Sequence, residues 1–197
     1  MAMKPIDEAL RLNKQLRVIG FDDAPFQHKR GSDVNISGIV CSGTRFEGML
    51  WGQIEKDGHN ATDVIANLLT ESKFFNQVHA VLTDGIAVGG FNVIDLDALA
   101  QAVNKPCIAV MRKPPNLKAI KNALENFADA ENRWQTILNA GEIYQHSAFY
   151  YQVKGCDSVQ AGKILERVTD TGNVPEALRL AHLIGSAVMT GQSSNSA

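Results

Sequence analysis

Only three cysteines occur in the 197-residue sequence, Cys41, Cys107 and Cys156, an odd number without CxxC spacing. That excludes a disulfide framework and a structural zinc knuckle, and it predicts a reduced, cytoplasmic protein. No run of about 18 apolar residues is present, so no membrane partner is expected. The start, Met1 to Pro5, leads into a charged amphipathic stretch instead of the apolar core of a signal peptide. The interior has neither an internal repeat nor a Pro/Gly/Ser-rich linker, and low complexity is confined to Thr190–Ala197. One domain over residues 1–197 is therefore expected, with 1–13 as an N-terminal extension and 191–197 as a frayed tail.

Several catalytic signatures are also missing. There is no GxSxG nucleophile elbow, and the five histidines, His28, His59, His79, His146 and His182, are scattered without metal-ligand spacing. His79 falls inside an apolar strand and reads as structural, while His182 reads as a satisfied surface or core histidine of a C-terminal helix. The glycine-rich stretch Gly85-Ile-Ala-Val-Gly-Gly-Phe-Asn92 matches neither GxGxxG nor the Walker pattern. Its glycines allow close approach of backbone. Phe91 within it either stacks on a base or plugs the core, the commoner role for a lone aromatic. Cys156 lacks a neighbouring histidine to activate it.

Excess charge of one sign is absent too. There are 19 basic and 21 acidic residues, a net charge of −2, without the basic footprint usual for nucleic-acid binding. The total hides an asymmetry: residues 1–100 carry 9 basic and 13 acidic groups, residues 101–197 carry 10 and 8. Arg112, Lys113, Lys118 and Lys121 form a short basic run with no acid among them.

What is present is an ordered series of short apolar segments. Leu16–Asp22, Val34–Cys41 and Arg45–Glu55 read as three strands with short connections, an antiparallel meander. A helix from Asn60 or Thr62 to about Lys73 follows, then a strand at 78–83, a helix at 95–103 and a strand at 106–111. Helices near 117–127 and 132–140, a strand at 149–153 and helices near 158–168 and 176–190 complete the chain. The expected class is α/β, a mixed sheet of a three-strand meander followed by parallel strands, flanked by helices.

The acids stand at strand ends. Asp22 and Asp23 close the first strand, Asp57 the third and Asp84 the fourth. If the first and fourth strands are parallel neighbours, Asp22 and Asp84 lie side by side, an oxygen-rich site suited to Mg²⁺. Arg112 and Lys113 end a strand nearby and could hold phosphate. The plainer reading is that Asp57-Gly58 and Asp84-Gly85 are ordinary turn dipeptides, and Asp23 either assists a metal or caps a turn.

Four blocks taken together carry a resemblance. They are Val18-Ile-Gly-Phe-Asp-Asp-Ala-Pro-Phe26, Asp57-Gly-His-Asn-Ala-Thr62, Thr83-Asp-Gly-Ile-Ala-Val-Gly-Gly-Phe-Asn-Val-Ile-Asp95 and Val174-Pro-Glu-Ala-Leu-Arg-Leu-Ala-His-Leu-Ile184. In this order the chain, from Lys14 to Gly191, resembles the endonuclease dU family, distant relatives of endonuclease V. The resemblance implies an RNase H-like fold and a nuclease using Mg²⁺ or Mn²⁺, acting on nucleic acid, DNA more than RNA, at deaminated bases such as uracil.

By motif it implies metal held by Asp22, Asp84 and a third carboxylate, Asp57 or alternatively Asp63. It also implies phosphate contacts by Arg112 or Lys113. Where endonuclease V has glycine followed by histidine, this chain has Gly155 followed by Cys156 and Asp157, so Asp157 is the expected substitute oxygen ligand. Gly90, Phe91 and Asn92 would border a pocket for a displaced base. The alternative is a non-catalytic nucleic-acid-binding or regulatory protein that kept the fold. A homodimer is compatible with the sequence.

Overall fold

The structure is a computed structural model, and it describes residues 5–27, 29 and 31–195. The first four residues of the expected extension, His28 and the last two residues of the expected tail lie outside that set.

A short helix α1 (Pro5–Arg11) precedes the meander β1 (Arg17–Asp23), β2 (Asp33–Ser42) and β3 (Arg45–Glu55). Next come α2 (Ala61–Thr70), β4 (Ala80–Asp84), a two-stranded hairpin β5 (Ala87–Val88) and β6 (Asn92–Val93), α3 (Leu96–Val103) and β7 (Cys107–Met111). Helices α4 (Leu117–Leu124) and α5 (Ala130–Asn139), strands β8 (Tyr144–His146) and β9 (Phe149–Lys154), and helices α6 (Ser158–Arg167) and α7 (Glu176–Thr190) follow. Seven strands form one mixed sheet in the order β3-β2-β1-β4-β7-β9-β8. The meander is antiparallel, and β1, β4 and β7 run parallel, as the strand spacing predicts.

The last strands depart from that expectation. β9 pairs antiparallel with β7, Cys107 opposite Lys154 and Met111 opposite Tyr150, because the β8–β9 hairpin turns the chain before it enters the sheet. The end of β9 therefore lies at the start of β7, at the sheet edge away from Asp84. No strand periodicity marks a three-residue element such as β8.

Strand alternation divides the core into two layers. Ile19, Phe21, Val81 and Ala109 pack under α2 and α3, where Ile65, Leu69, Leu99 and Val103 are buried. Val18, Ala80, Leu82, Ile108 and Val110 pack on the other face under α6 and α7. Each fully buried side chain of this size contributes about 1.5–3 kcal/mol of transfer free energy. α7 lies unusually close to β1. A Cβ on Gly20 would be 2.8 Å from the backbone of Ala177 and Leu178, so only glycine admits the helix there. Ser37 Oγ adds a hydrogen bond to the Ala181 carbonyl at 2.9 Å.

Candidate functional site

The same alternation places the acids. Asp22 shares the α7-facing parity of Val18 and Gly20, and Asp23 shares the opposite parity of Ile19 and Phe21. Phe21 is paired with Thr83 in the parallel β1–β4 register, which sets Asp22 beside Asp84. Arg112, one residue past β7, brings Nη2 to 3.6 Å from Asp84 Oδ2. Lys113 beside it is exposed. From α7, His182 places Nδ1 3.0 Å from Asp22 Oδ2.

Burial makes this pair of carboxylates hard to ionise together. Asp22 is 5% exposed. Desolvation first, then the charges of Asp84 and Asp23, push its pKa up to about 8, against the Asp23 N–H and Arg112. Asp84 is raised by burial in spite of Arg112 and His182. A buried carboxylate, Asp22, beside a half-buried one, Asp84, with Arg112 and His182 next to them, forms an oxygen donor set that a hard divalent cation would stabilise. Mg²⁺ is commonly held by one or two carboxylates, with waters and phosphate oxygens completing its shell. The residues at the β1 and β4 ends fit such an ion.

Asp23 has a different task. Its Oδ2 accepts from Gly89 N–H at 2.6 Å, on the far side of the strand. Gly89 in turn accepts from Asp57 N–H at 2.8 Å, so the β5–β6 hairpin ties β1 to the loop after β3. The Asp57 carboxylate accepts from Phe91 N–H at 2.9 Å and pairs with Lys56. Burial works against its charge, yet Lys56 and the Phe91 N–H prevail and hold its pKa below the usual value. A Cβ at Gly90 would fall 2.3 Å from Asp57 Oδ1, so glycine with its φ of +85° is required.

Arg133 of α5 locks these loops together. Its buried guanidinium donates to the carbonyls of Asp57, Gly58 and Phe91 and to Asp129 Oδ2, and it lies 4.7 Å from the Phe127 ring centroid. Phe91 packs edge-on against Phe127 at 5.5 Å.

The structure thus brings Asp22, Asp84 and Arg112 together and separates other expected site residues from them. Asp157 stands at the opposite sheet edge as the N-cap of α6, accepting from Gln160 N–H at 2.8 Å in a capping box. The antiparallel course of β9 places it away from Asp22 and Asp84. Asn92 is fully buried. Its amide donates to Glu55 O and Asn60 Oδ1, and its oxygen accepts from Ala61 N–H. Asp63 is exposed on the first turn of α2. Among the described residues no three His, Cys, Asp or Glu side chains gather into a ready metal cluster. His182, read from the sequence as a satisfied histidine of the C-terminal helix, has its partner in Asp22.

A mixed sheet with this strand order, flanked by helices, has the RNase H-like fold of the solved endonuclease V structures. Human endonuclease V matches at a TM-score of 0.57 and 13% identity, covering 93% of this chain and 88% of that one. Endonuclease V of Ciona intestinalis, solved with a 24mer DNA containing an inosine, matches at 0.54 and 14% over 86% and 84%. At these identities the likeness shows the fold. A protein of unknown function from Archaeoglobus fulgidus matches at 0.83 and 32%, covering 88% and 98%. A UPF0215 protein of Pyrococcus furiosus is 40% identical over 189 residues, 93% of this chain and 97% of that protein. The family model for endonuclease dU matches residues 14–189. The chain belongs to the endonuclease dU family.

Proposed function

We propose that the chain is a metal-dependent endonuclease that hydrolyses phosphodiester bonds in nucleic acid, DNA in preference to RNA, at or beside deaminated bases such as uracil. The observation that carries this reading is the pairing of buried Asp22 with half-buried Asp84 at the ends of two parallel strands, with Arg112 at its rim. Asp22 and Asp84 would hold Mg²⁺ or Mn²⁺, with Asp57 entering only if its loop releases it from Phe91 and Lys56. When bound, such an ion supplies Lewis-acid stabilisation of phosphate charge and a more acidic water.

This chain's own residues do the rest. His182 fixes the orientation of the Asp22 carboxylate through its hydrogen bond. Arg112, partly exposed, binds a phosphate oxygen of the strand. Asp23 and Arg133 hold the Gly89–Phe91 segment that borders the site, and Phe91 would meet a displaced base along its exposed edge. The buried thiols of Cys41 and Cys107 are consistent with a reduced, cytoplasmic setting. Among the described residues no helix is long and apolar enough to cross a membrane.

The second reading is a nucleic-acid-binding protein that does not cut, favoured by the engagement of the Asp57 carboxylate within its own loop. Labelled strands containing deoxyuridine, deoxyinosine or only normal bases, incubated with Mg²⁺ or Mn²⁺, separate the two. Cleavage that the Asp22→Ala protein loses supports the nuclease. Metal-dependent binding without cleavage supports the second reading.

A further inference from the structure

At the opposite end of the central strands a cavity of about 470 Å³ opens, within the size range of small-molecule sites. Its walls come from the segments that enter β4 and β7, from the carboxyl end of α3 and from Ile6 of α1. The five residues of β4 separate it from Asp84 by about 17 Å of strand. Nothing in the candidate nuclease site uses it.

The chemistry of the cavity has two parts. One is apolar: Phe75, Val78 and Val103 line it. The other is a set of donors. The Lys105 ammonium lies 4.6 Å from the Phe75 ring centroid and forms no salt bridge among the described residues. His79 Nδ1 stands 3.0 Å from Arg17 N and 3.3 Å from Arg17 O, and the tautomer that accepts the Arg17 N–H carries its proton on Nε2 as a second donor. Asp97, the one acid among the lining residues, accepts from Gln101 Nε2 at 2.8 Å. A half-buried ammonium against an aromatic face, unpaired with any carboxylate, is a poor arrangement for stability alone and a good one for holding an anion.

We propose that this cavity is a second binding site, for a small organic anion whose phosphate or carboxylate head meets Lys105 and His79 and whose flat apolar body lies against Phe75. The site does not depend on the nuclease reading, since it shares no residue with the Asp22–Asp84 edge.

The test titrates the full chain, in EDTA so that no metal recruits phosphate to the acidic edge, with phenyl phosphate, benzoate, inorganic phosphate and phenol. Calorimetry and amide chemical shifts report binding. Phenyl phosphate or benzoate should saturate below about 10 mM and shift residues 75–79 and 100–106, with phenol and inorganic phosphate about tenfold weaker. Preference between the two anions tells which head the site takes. Lys105→Gln should weaken the better anion about tenfold while the melting temperature stays within a few degrees. Ala100→Leu, which intrudes on the cavity from α3, should block it without removing charge. The proposal is overturned by no saturation at about 10 mM, by shifts confined to the Asp22 edge, or by equal binding in Lys105→Gln.

Discussion

His182 Nδ1 lies 3.0 Å from Asp22 Oδ2, joining α7 to the end of β1 across 160 residues of chain. The contact depends on Gly20, whose missing side chain lets α7 settle on β1. A hydrogen-bonded partner that orients a metal-holding carboxylate typically accounts for about 10–100-fold in activity or metal affinity. His182→Ala should therefore lower cleavage of deoxyuridine strands by that order and raise the Mn²⁺ concentration needed for half-maximal rate. The fold should survive, because the imidazole is about one-third exposed. Unchanged cleavage and metal dependence would remove His182 from the site.

The raised pKa of Asp22 makes a statement about stability without metal. Its folded value, about 8, lies above its unfolded value of 3.8. Between these values the folded state binds more protons than the unfolded state, so stability falls as pH rises, by at most about 1.4 kcal/mol per pH unit for one proton. Metal-free protein should thus melt lower at pH 8 than at pH 5. Asp22→Asn should flatten that slope, and Mg²⁺ or Mn²⁺ should raise the melting temperature more at pH 8 than at pH 5. A melting temperature that climbs from pH 5 to 8 in EDTA, with the same slope in both proteins, contradicts the account.

Arg133 is buried to 3% exposure and joins three backbone carbonyls to Asp129. Truncation to Met leaves those acceptors without their donor, at a cost of about 2–4 kcal/mol. Lys at 133 should not rescue it, because an ammonium cannot reproduce the planar fork that spans two loops. Hydrogen exchange should report the loss locally, as faster exchange at Gly89 and Phe91, whose N–H groups are held by Asp23 and Asp57. Global denaturation midpoints that do not move would show the network to be ornamental.

Much of the site was legible because strand ends and strand parity are local properties. Short apolar segments marked β1 and β2 and polar–apolar alternation marked β3, and acids at the ends of β1 and β4 became neighbours once the strands were taken as parallel. Parity also distinguishes Asp22 from Asp23, a step the sequence permits once the two faces of β1 are known. The His182–Asp22 contact was not legible, since it arises from packing of a helix onto a strand 160 residues away and leaves no trace in either period. The position of Asp157 was hidden for a related reason. The three-residue strand β8 reverses β9, and nothing in the Phe149–Val153 pattern carries the direction of a strand.

That reversal can be tested through Asp157 itself. Were it a metal ligand, its removal would abolish cleavage as Asp84→Asn should. Placed instead as the N-cap of α6, it holds Gln160 N–H while Gln160 reaches back to the Asp157 N–H at 3.2 Å. Loss of such a cap costs about 1 kcal/mol, so Asp157→Ala should lower the denaturation midpoint modestly. Its metal dependence and cleavage rate should match those of the unaltered protein, and Asp157→Ser, which can still cap, should recover most of the stability. A fall in cleavage in Asp157→Ala and Asp157→Ser alike, with stability intact, would instead return the end of β9 to the catalytic edge and require a different strand order.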